Sequence, residues 1–510
     1  MDGSFSLDRT HRTYDAIIVG SGMGGSAVAL RLAQAGLNVL IVERGDWLPK
    51  PANATNNTFL YDIQAPEDDF EIVGGRSKYY GAALYRFRES DFEARDFENG
   101  PSPAWPIRYA DLEPYYAEAE RLYRVHGSPD GDPSEPFRTG PYPHMPLPND
   151  PQVNKVATQL KKAGVNVAAI PRGIDYGDEG LCVLCAQCDA HLCRFDAKMD
   201  AETATLRPAL QTGHVELLAK ADCLTIELSE DGRRAVGVRV HHDGAEHLIR
   251  AGIVVTAAGY PHTPALLRRS RFSAHPEGLG NQGGWLGKGV GAHSTGTLFP
   301  MIRFTAMGDR HTKTFAINQW FEGDDPGSDW PYPLGVSQIA GQTPFWNMAG
   351  ALKRPAIRAV AERSLTVFHM TEATPSKETG WSFDGDALGA FTPPVHHPGS
   401  YERLRNRTQA AFRAAGYFVL SPHRDVAFWH ETGGAIMGDD PGSSVIDATG
   451  QVHGVDGLYV ADATALPSAS AVNTGLTIVA FALRTADIIA CGKPLDATVV
   501  EPAPTLKVPA

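Results

Sequence analysis

Tyr14-Asp-Ala-Ile-Ile-Val19 runs into Gly20-Ser-Gly22-Met-Gly-Gly25, and Asn38-Val-Leu-Ile-Val42 ends at Glu43. The first run is short, apolar and rich in β-branched residues, which predicts a buried strand. Ala27-Val-Ala-Leu-Arg-Leu-Ala33 reads as a helix with Gly36 as its stop. The second run predicts another strand, so residues 14–43 read as a complete βαβ unit. Each glycine has a task in such a unit. Gly20 permits the tight turn, Gly22 lets the backbone approach a pyrophosphate, and Gly25 lets helix and strand pack closely. The helix N-terminus offers free N–H groups and the positive end of its dipole to phosphates. Glu43, with Arg44 beside it, stands where an acid accepts hydrogen bonds from a ribose. An acid there disfavours a 2′-phosphate, so NADP fits least, and NAD and FAD both remain open on these residues.

The rest of the chain sets the frame. It has 510 residues, 43% of them hydrophobic, which is enough for a large core and two to four domains. Charged residues make up 21%, an ordinary globular share. The net charge of -13 argues against a nucleic-acid partner, because phosphate binding needs clustered Lys and Arg. No apolar run reaches the length of a membrane span. Met1-Asp-Gly-Ser-Phe-Ser-Leu-Asp-Arg-Thr10 lacks the basic and apolar regions of a secretory signal, so the expected location is cytoplasmic. Six cysteines do not make a disulfide scaffold at this length.

Strand-like runs at 215–218, 235–240 and 253–257 extend an α/β nucleotide domain. Between them and the C-terminus lie strand-like runs at 298–304 and 365–370 and a helix at 401–415. This predicts a second sheet with helices on one side, inserted in the nucleotide domain. The nucleotide domain is then discontinuous and closed by the C-terminal segment.

Two further motifs carry a resemblance. Gly74-Gly-Arg-Ser77-Lys-Tyr-Tyr-Gly81 is a second glycine-rich segment, and Asp462 follows Leu458-Tyr-Val-Ala. With the first unit, these resemble the glucose–methanol–choline family of FAD-dependent oxidoreductases. Trp105-Pro-Ile107, Leu112-Glu-Pro-Tyr115-Tyr and Glu120 resemble a stretch of its bacterial and pyranose-oxidase-like members. Ile253-Val-Val-Thr-Ala-Ala-Gly259 and Thr263-Pro-Ala-Leu-Leu267 resemble its central strand and helix. The resemblance implies an α/β fold: a discontinuous Rossmann-like FAD-binding domain over 1–100, 200–293 and 425–500, linking segments over 101–199, an inserted α+β substrate-binding domain over 294–424, and a tail over 501–510. It lays Gly75, Ser77 and Gly81 along the flavin, and Ala257, Asp462 and Ala463 at the strand ends that meet the cofactor. Asn473, Thr474 and Leu476 fall beneath the isoalloxazine. Some members tether the flavin through a histidine in the first of these segments. Arg76-Ser77-Lys78-Tyr79-Tyr80 holds none, so FAD is expected to be non-covalent.

By the same resemblance His430, in His430-Glu-Thr-Gly433, matches the family's catalytic histidine, and Asn473 its second catalytic position. The chemistry suits the residue types. A neutral imidazole accepts a hydroxyl proton near physiological pH. A neutral amide orients the hydroxyl without competing for that proton. Flavin N5 takes the hydride. The expected reaction is oxidation of an alcohol to a carbonyl, most of all a secondary hydroxyl of a sugar or glycoside. The electron acceptor is oxygen or a redox partner, and oxidase and dehydrogenase are not distinguished. Alternatives are a non-sugar alcohol, a same-fold lyase whose flavin is not reduced, an NAD enzyme, and a non-catalytic flavoprotein. Asn473 also reads as the N-cap of a helix over 474–489. Phe428 and Trp429 read as pocket or core, and His396, His397 and His423 as solvated loop histidines.

Cys182-Val-Leu-Cys185-Ala-Gln-Cys188-Asp-Ala-His-Leu-Cys193 gathers four of the six cysteines. The spacing is close to an iron–sulfur run but has one residue too many before the last Cys, and Arg194 where proline is usual. It resembles a cluster-bearing loop of some bacterial FAD-dependent hexose dehydrogenases, and also loops of relatives without a cluster. Iron–sulfur ligation by Cys182, Cys185, Cys188 and Cys193, a zinc knuckle, disulfides and free thiols all stay open. Ala197-Lys198 beyond it resembles a segment near the flavin. Cys223 and Cys491 read as buried small residues.

Overall fold

The computed structural model describes residues 14–48, 71–186, 188–189, 191–302, 313–340, 363–421 and 426–491. The N-terminal half supplies β1 (Tyr14–Val19), α1 (Met23–Gln34), β2 (Val39–Val42), α2 (Tyr109–Leu122), β3 (Ala168–Ala169), β4 (Val215–Leu218), β5 (Asp222–Leu228), β6 (Ala235–His242), β7 (Ala245–Thr256) and α3 (His262–Arg269). The C-terminal half supplies β8 (Gly291–Met301), β9 (Phe315–Ile317), β10 (Val336–Ala340), β11 (Thr366–Ala373), α4 (Pro398–Ala414), β12 (Phe418–Leu420), β13 (Ala427–Thr432), β14 (Leu458–Val460) and α5 (Gly475–Cys491).

The apolar runs flanking the first glycines are β1 and β2, buried apart from Asp15. Parallel strands covered by helices must be apolar on both faces, which is why these runs show no alternation. They pair in parallel, Ala16 opposite Val39 and Val19 opposite Val42. The first sheet runs β4-β2-β1-β7-β6-β5, and β14 also pairs with β7. β7 is longer than its sequence signal. Its last residues lie parallel to β1, with Val19 opposite Thr256, and parallel to β14, with Val460 opposite Thr256. Its first residues turn back antiparallel on β6. Chain neighbours therefore leave β1 in opposite directions. The crevice at the carboxyl ends of β1, β7 and β14 is the place where such a sheet holds a ligand.

α5 returns the C-terminal segment onto α1 and α2. Arg31 of α1 fixes that packing in ionic terms: its buried guanidinium pairs with Glu118 of α2, and its Nε lies 3.1 Å from Asp487 of α5. Buried charges persist only when paired, so the three helices are tied at one point.

The second sheet runs β12-β8-β11-β10-β9-β3, and β13 also pairs with β8. α4 packs against β11 and β8. Two segments depart from the expected division. β13, inside 425–500, pairs antiparallel with β8 and belongs to this second sheet. β3, inside 101–199, pairs with β9 at its far edge. Strand pairing is a long-range choice that local composition does not announce. Nor are all the histidines solvated. His397 is fully buried at the start of α4, with its Nε2 3.0 Å from Thr374 Oγ1 and its Nδ1 3.2 Å from the Asn99 N–H. His396 Nδ1 lies 2.8 Å from Ser294 Oγ. His423, Phe304 and the tail over 501–510 lie outside the described residues.

Gly24 closes the discontinuous domain. A Cβ there would sit 1.8 Å from the Ala461 carbonyl oxygen, just past β14. Gly24→Ala is expected to push α1 off the β14 end at a cost of about 1–3 kcal/mol, the usual penalty of overpacking. Thermal unfolding of the purified variant beside the native protein checks this.

Candidate active site

A cavity of about 850 Å³ runs from the carboxyl ends of β1, β2, β7 and β14 to the near face of the second sheet. At its first end the glycine turn does what a phosphate cradle requires. Gly20 has φ +100°, and a Cβ there would meet the Ala257 carbonyl oxygen at 2.4 Å. A Cβ on Gly25 would meet the Gly20 carbonyl oxygen at 2.1 Å, so this glycine serves packing and does not line the cavity. Gly22 differs: a Cβ there meets nothing within 4 Å and would project into the cavity. No side chain caps α1 and no acid occupies its first turn, so its leading N–H groups are left for a ligand. The open face at Gly22 and the uncapped helix fit a dinucleotide pyrophosphate.

Glu43 and Arg44 also line the cavity. The Glu43 carboxylate does internal work as well. One oxygen accepts the Ser21 N–H at 2.9 Å and the Ser21 hydroxyl at 2.7 Å, and the other accepts the Gly45 N–H at 2.8 Å. Ser21 Oγ in turn accepts the Gly74 N–H at 2.9 Å, which fastens the second glycine segment to the first. Gly75, Ser77 and Gly81 of that segment line the cavity. Ser77 Oγ donates to the Gly74 carbonyl at 2.7 Å and accepts the Ala201 N–H at 3.0 Å.

Ala257, Asp462, Ala463, Asn473 and Thr474 line the same space, whereas Leu476 is fully buried in the core and does not reach it. Asp462 is a hub. Its Oδ2 accepts the Gly259 N–H at 2.8 Å and the Thr263 hydroxyl at 2.6 Å, and its Oδ1 accepts the Thr464 N–H at 2.8 Å. The cap of α5 is not Asn473. The Thr474 carbonyl accepts the Ile478 N–H at 3.0 Å, so Thr474 is the cap position and Asn473 stands one residue ahead. The Asn473 side-chain oxygen accepts from Gln338 Nε2 of β10 at 3.0 Å.

His430 reaches the cavity through an irregularity. Between Gly291 and His293 on β8, the partner strand passes from Thr432 to Trp429, one residue more than regular pairing allows. Such a bulge re-aims a side chain. His430 sits in it with φ +60°, the left-handed region that a non-glycine residue occupies only when its surroundings impose it. Its Nδ1 lies 3.1 Å from Nδ1 of His293. His293 is fully buried, and its Nε2 lies 3.1 Å from the Ala469 carbonyl oxygen. Burial lowers the His293 pKa to about 4. Burial, then His293, Lys313 and Arg76, hold His430 well below the ordinary histidine value. Both rings are therefore neutral near pH 7.

The loop that carries Asn473 is held from several sides. Trp105 Nε1 donates to Ser468 Oγ at 2.8 Å, and Ser470 Oγ donates to Asp91 at 2.8 Å. Around the two candidate catalytic residues the wall is formed by Gln338, Phe368, Met370, Lys313, Asp189 and Trp429. Trp429 is 40% exposed and meets Phe368 edge-on at 5.1 Å. Lys313 Nζ lies 3.5 Å from Asp189. Sequence reading missed Gln338, Lys313 and His293, which lie in segments with no motif of their own, and Asp189, which stands inside the cysteine motif but is not one of its repeating residues.

The four clustered cysteines line a separate small cavity of about 30 Å³. Among the described residues no group of three or more His, Cys, Asp or Glu side chains could hold a metal ion, so the iron–sulfur expectation is not supported. A cluster needs converging thiolates. Burial pushes the Cys182 thiol up to about 11. The loop is held by a lysine. Buried Lys198 points its Nζ at the carbonyls of Lys78, Tyr80, Cys188 and His191, at 2.7 to 3.1 Å. That ties the loop to the second glycine segment and brings Asp189 to the active cavity. Cys223 is buried, as expected, and borders the cavity at the strand-end side. The Cys491 side chain lies outside the described residues.

Among the described residues no helix is long and apolar enough to cross a membrane. Family models described as GMC oxidoreductase match residues 69–295 and 354–482, and one described as an FAD binding domain matches 15–50. The chain is 28% identical to 6'''-hydroxyparomomycin C oxidase of Streptomyces lividus and to paromamine 6'-oxidase of Streptomyces fradiae, in each case over 94% of this chain and 92% of the relative. It is 26% identical to 2-methyl-1,2-propanediol dehydrogenase of Mycolicibacterium austroafricanum, over 95% of this chain and 96% of that one. Among solved structures, pyridoxine 4-oxidase from Mesorbium loti superposes with a TM-score of 0.63 at 17% identity, covering 93% of this chain and 98% of its own. The Aspergillus oryzae RIB40 formate oxidase superposes with a TM-score of 0.64 at 16% identity, covering 94% and 98%. These two likenesses concern the fold.

Gly22 and Gly24 separate cofactor binding from folding. Gly22→Ala is expected to cost under about 1 kcal/mol of apoprotein stability, because its backbone is already extended and its Cβ meets open space. It is expected to weaken FAD binding by crowding the pyrophosphate. Fluorescence titration of apoprotein with FAD, beside a melting curve, reads both.

Proposed function

We propose, from the premise that this chain belongs to the GMC oxidoreductase family of FAD-dependent enzymes acting on CH–OH groups, that His430 takes the hydroxyl proton of the substrate while Asn473 holds its oxygen. The observation that carries this reading is the shared cavity. His430 and Asn473 line the same space as the glycine cradle, and each is backed by a buried polar residue of the second sheet. FAD, bound non-covalently in the cradle, supplies the acceptor for the hydride that leaves the carbinol carbon.

The protein groups do the remaining work. A neutral His430 has a free lone pair for the proton, and its lowered pKa keeps it in that form. Gln338 occupies the Asn473 side-chain oxygen, so the Asn473 amide N–H groups face the alcohol oxygen, where negative charge develops as the proton leaves. Proton, hydride and carbonyl product then balance: the O–H proton ends on His430, the C–H hydrogen leaves with its electron pair, and the C–O bond becomes double.

For the substrate we favour a secondary hydroxyl of a sugar or glycoside. The exposed face of Trp429, with Phe368 and Met370 behind it and Gln338, Lys313 and Asp189 beside it, joins an apolar platform to a polar rim. A sugar ring presents the same two features, C–H faces and a rim of hydroxyls. The relatives named as oxidases of 6'''-hydroxyparomomycin C and paromamine support that class. The one named for 2-methyl-1,2-propanediol keeps a non-sugar alcohol as the second reading. Anaerobic mixing with sugars, glycosides, paromamine and 2-methyl-1,2-propanediol is expected to bleach the flavin with a sugar-type alcohol first. A lyase would turn over without bleaching. Oxygen uptake against dye reduction identifies the electron acceptor, since relatives carry both oxidase and dehydrogenase names.

His430→Asn is the clean test of the base, because Asn tolerates the left-handed backbone that Ala does not. It is expected to lower kcat about 10²- to 10⁴-fold with FAD retained. The acid limb of kcat/KM in the native enzyme is expected below the ordinary histidine value of 6.5, because only neutral His430 is a base and its surroundings disfavour the charged ring.

A further inference from the structure

His293 does not line the active cavity, yet it is the nearest polar partner of His430. Its surroundings leave it little chemical freedom. A carbonyl oxygen can only accept, so the contact with Ala469 places a proton on His293 Nε2. Full burial with no acid beside it keeps the ring neutral, so Nδ1 carries none. Two nitrogens 3.1 Å apart need one donor and one acceptor. The donor is then His430 Nδ1–H.

We propose that His293 is a positioning residue: by accepting the His430 Nδ1 proton it fixes the tautomer in which His430 Nε2 presents a lone pair to the alcohol. The order of contacts is Ala469 carbonyl, His293 Nε2–H, His293 Nδ1, His430 Nδ1–H, His430 Nε2. In the opposite tautomer Nε2 would carry a hydrogen and could not take the substrate proton. The same contact steadies the His430 imidazolium after proton transfer, since a charged donor strengthens the bond. It also links both catalytic segments, because Ala469 belongs to the loop that bears Asn473. The bulge that gives His430 its left-handed backbone aims its ring at His293, so strand geometry and tautomer have one cause.

The other groups around His430 do not supply this function. Lys313, next to β9, and Arg76, in the second glycine segment, are cations that oppose its protonation without accepting a proton from it. Glu431, the following residue in β13, is engaged by Arg76 at 3.4 Å. Gln338 of β10 is committed to Asn473. Asp189 faces Lys313.

The inference rests on His430 as the base, and the test keeps the two apart. Holoenzyme with ¹⁵N-labelled histidine is compared with His430→Asn, which identifies the His430 signals by their loss. The expected spectrum near neutral pH has a protonated Nδ1 and an unprotonated Nε2 on His430. The reverse pattern overturns the proposal whatever the activity. Steady-state kinetics add the function. His293→Leu removes the acceptor and is expected to lower kcat about 10- to 100-fold, with KM and flavin content unchanged. His293→Asn keeps an oxygen at the Nδ1 position and is expected to recover most of that loss. Leu as active as native, or Asn as impaired as Leu with flavin retained, also overturns it. If the Leu variant does not fold, the native spectrum and the Asn variant still decide. An active His430→Asn enzyme would remove the base reading while leaving the tautomer assignment to the spectrum.

Discussion

One buried carboxylate that is already satisfied by protein holds the active site in register. Asp462 accepts from the turn after β7 through Gly259 and Thr263, and from its own chain through Thr464. A carboxylate stripped of water is stable only with such partners. The end of β14 is thereby locked to the end of β7, and β7 in turn to β1. The loop over 468–474 and the start of α5 both follow from that anchor. Shift it and the Asn473 amide moves relative to the glycine turn, though no part of either has changed.

The two sheets divide the chemistry by kind of atom. The first offers backbone: uncapped helix N–H groups, an open glycine and crowded turns where only glycine fits. Charge on a cofactor would meet helix N–H groups there, with Arg44 lining the same space. The second sheet offers side chains from strands, His293 on β8 and Gln338 on β10 within their ladders, and His430 in the bulge of β13. Strand residues have little freedom, so the two candidate catalytic groups are each held by a buried strand neighbour. Such a shell is what keeps catalytic geometry within a fraction of an ångström.

What could be read in advance follows the same line. The βαβ unit was legible because turn chemistry, strand runs and the terminal acid all sit within thirty or so residues of one another. His430 and Asn473 were legible because their neighbours repeat a pattern. Gln338 and His293 were not. They are ordinary buried polar residues of strands, and only pairing across more than a hundred residues brings them to the site. Gly24 hid among its neighbours because its constraint is the Ala461 carbonyl, far along the chain. Asn473 was misread as a cap because helix starts are uncertain by a residue. The cysteine spacing left iron–sulfur, zinc, disulfides and thiols open for a different reason. Regular spacing says nothing about where side chains point, and Leu184 and Ala186 take left-handed backbone angles that redirect the loop, while Lys198 collects its carbonyls.

The late position of β14 and α5 has a consequence for how the protein is made. The strand and helix of the first glycine turn leave a ribosome more than four hundred residues ahead of their partners β14 and α5. Until those emerge, α1 lacks Ala461 and Asp487 and has an apolar face without cover. Contacts of such sequence separation form slowly, because a long loop must close before any of them repays its entropy. The nascent chain therefore carries a half-built cradle while all the residues between α1 and β14 are made. A complete cradle exists only once β14 and α5 have docked on α1, so cofactor binding and closure of the discontinuous domain are coupled in time.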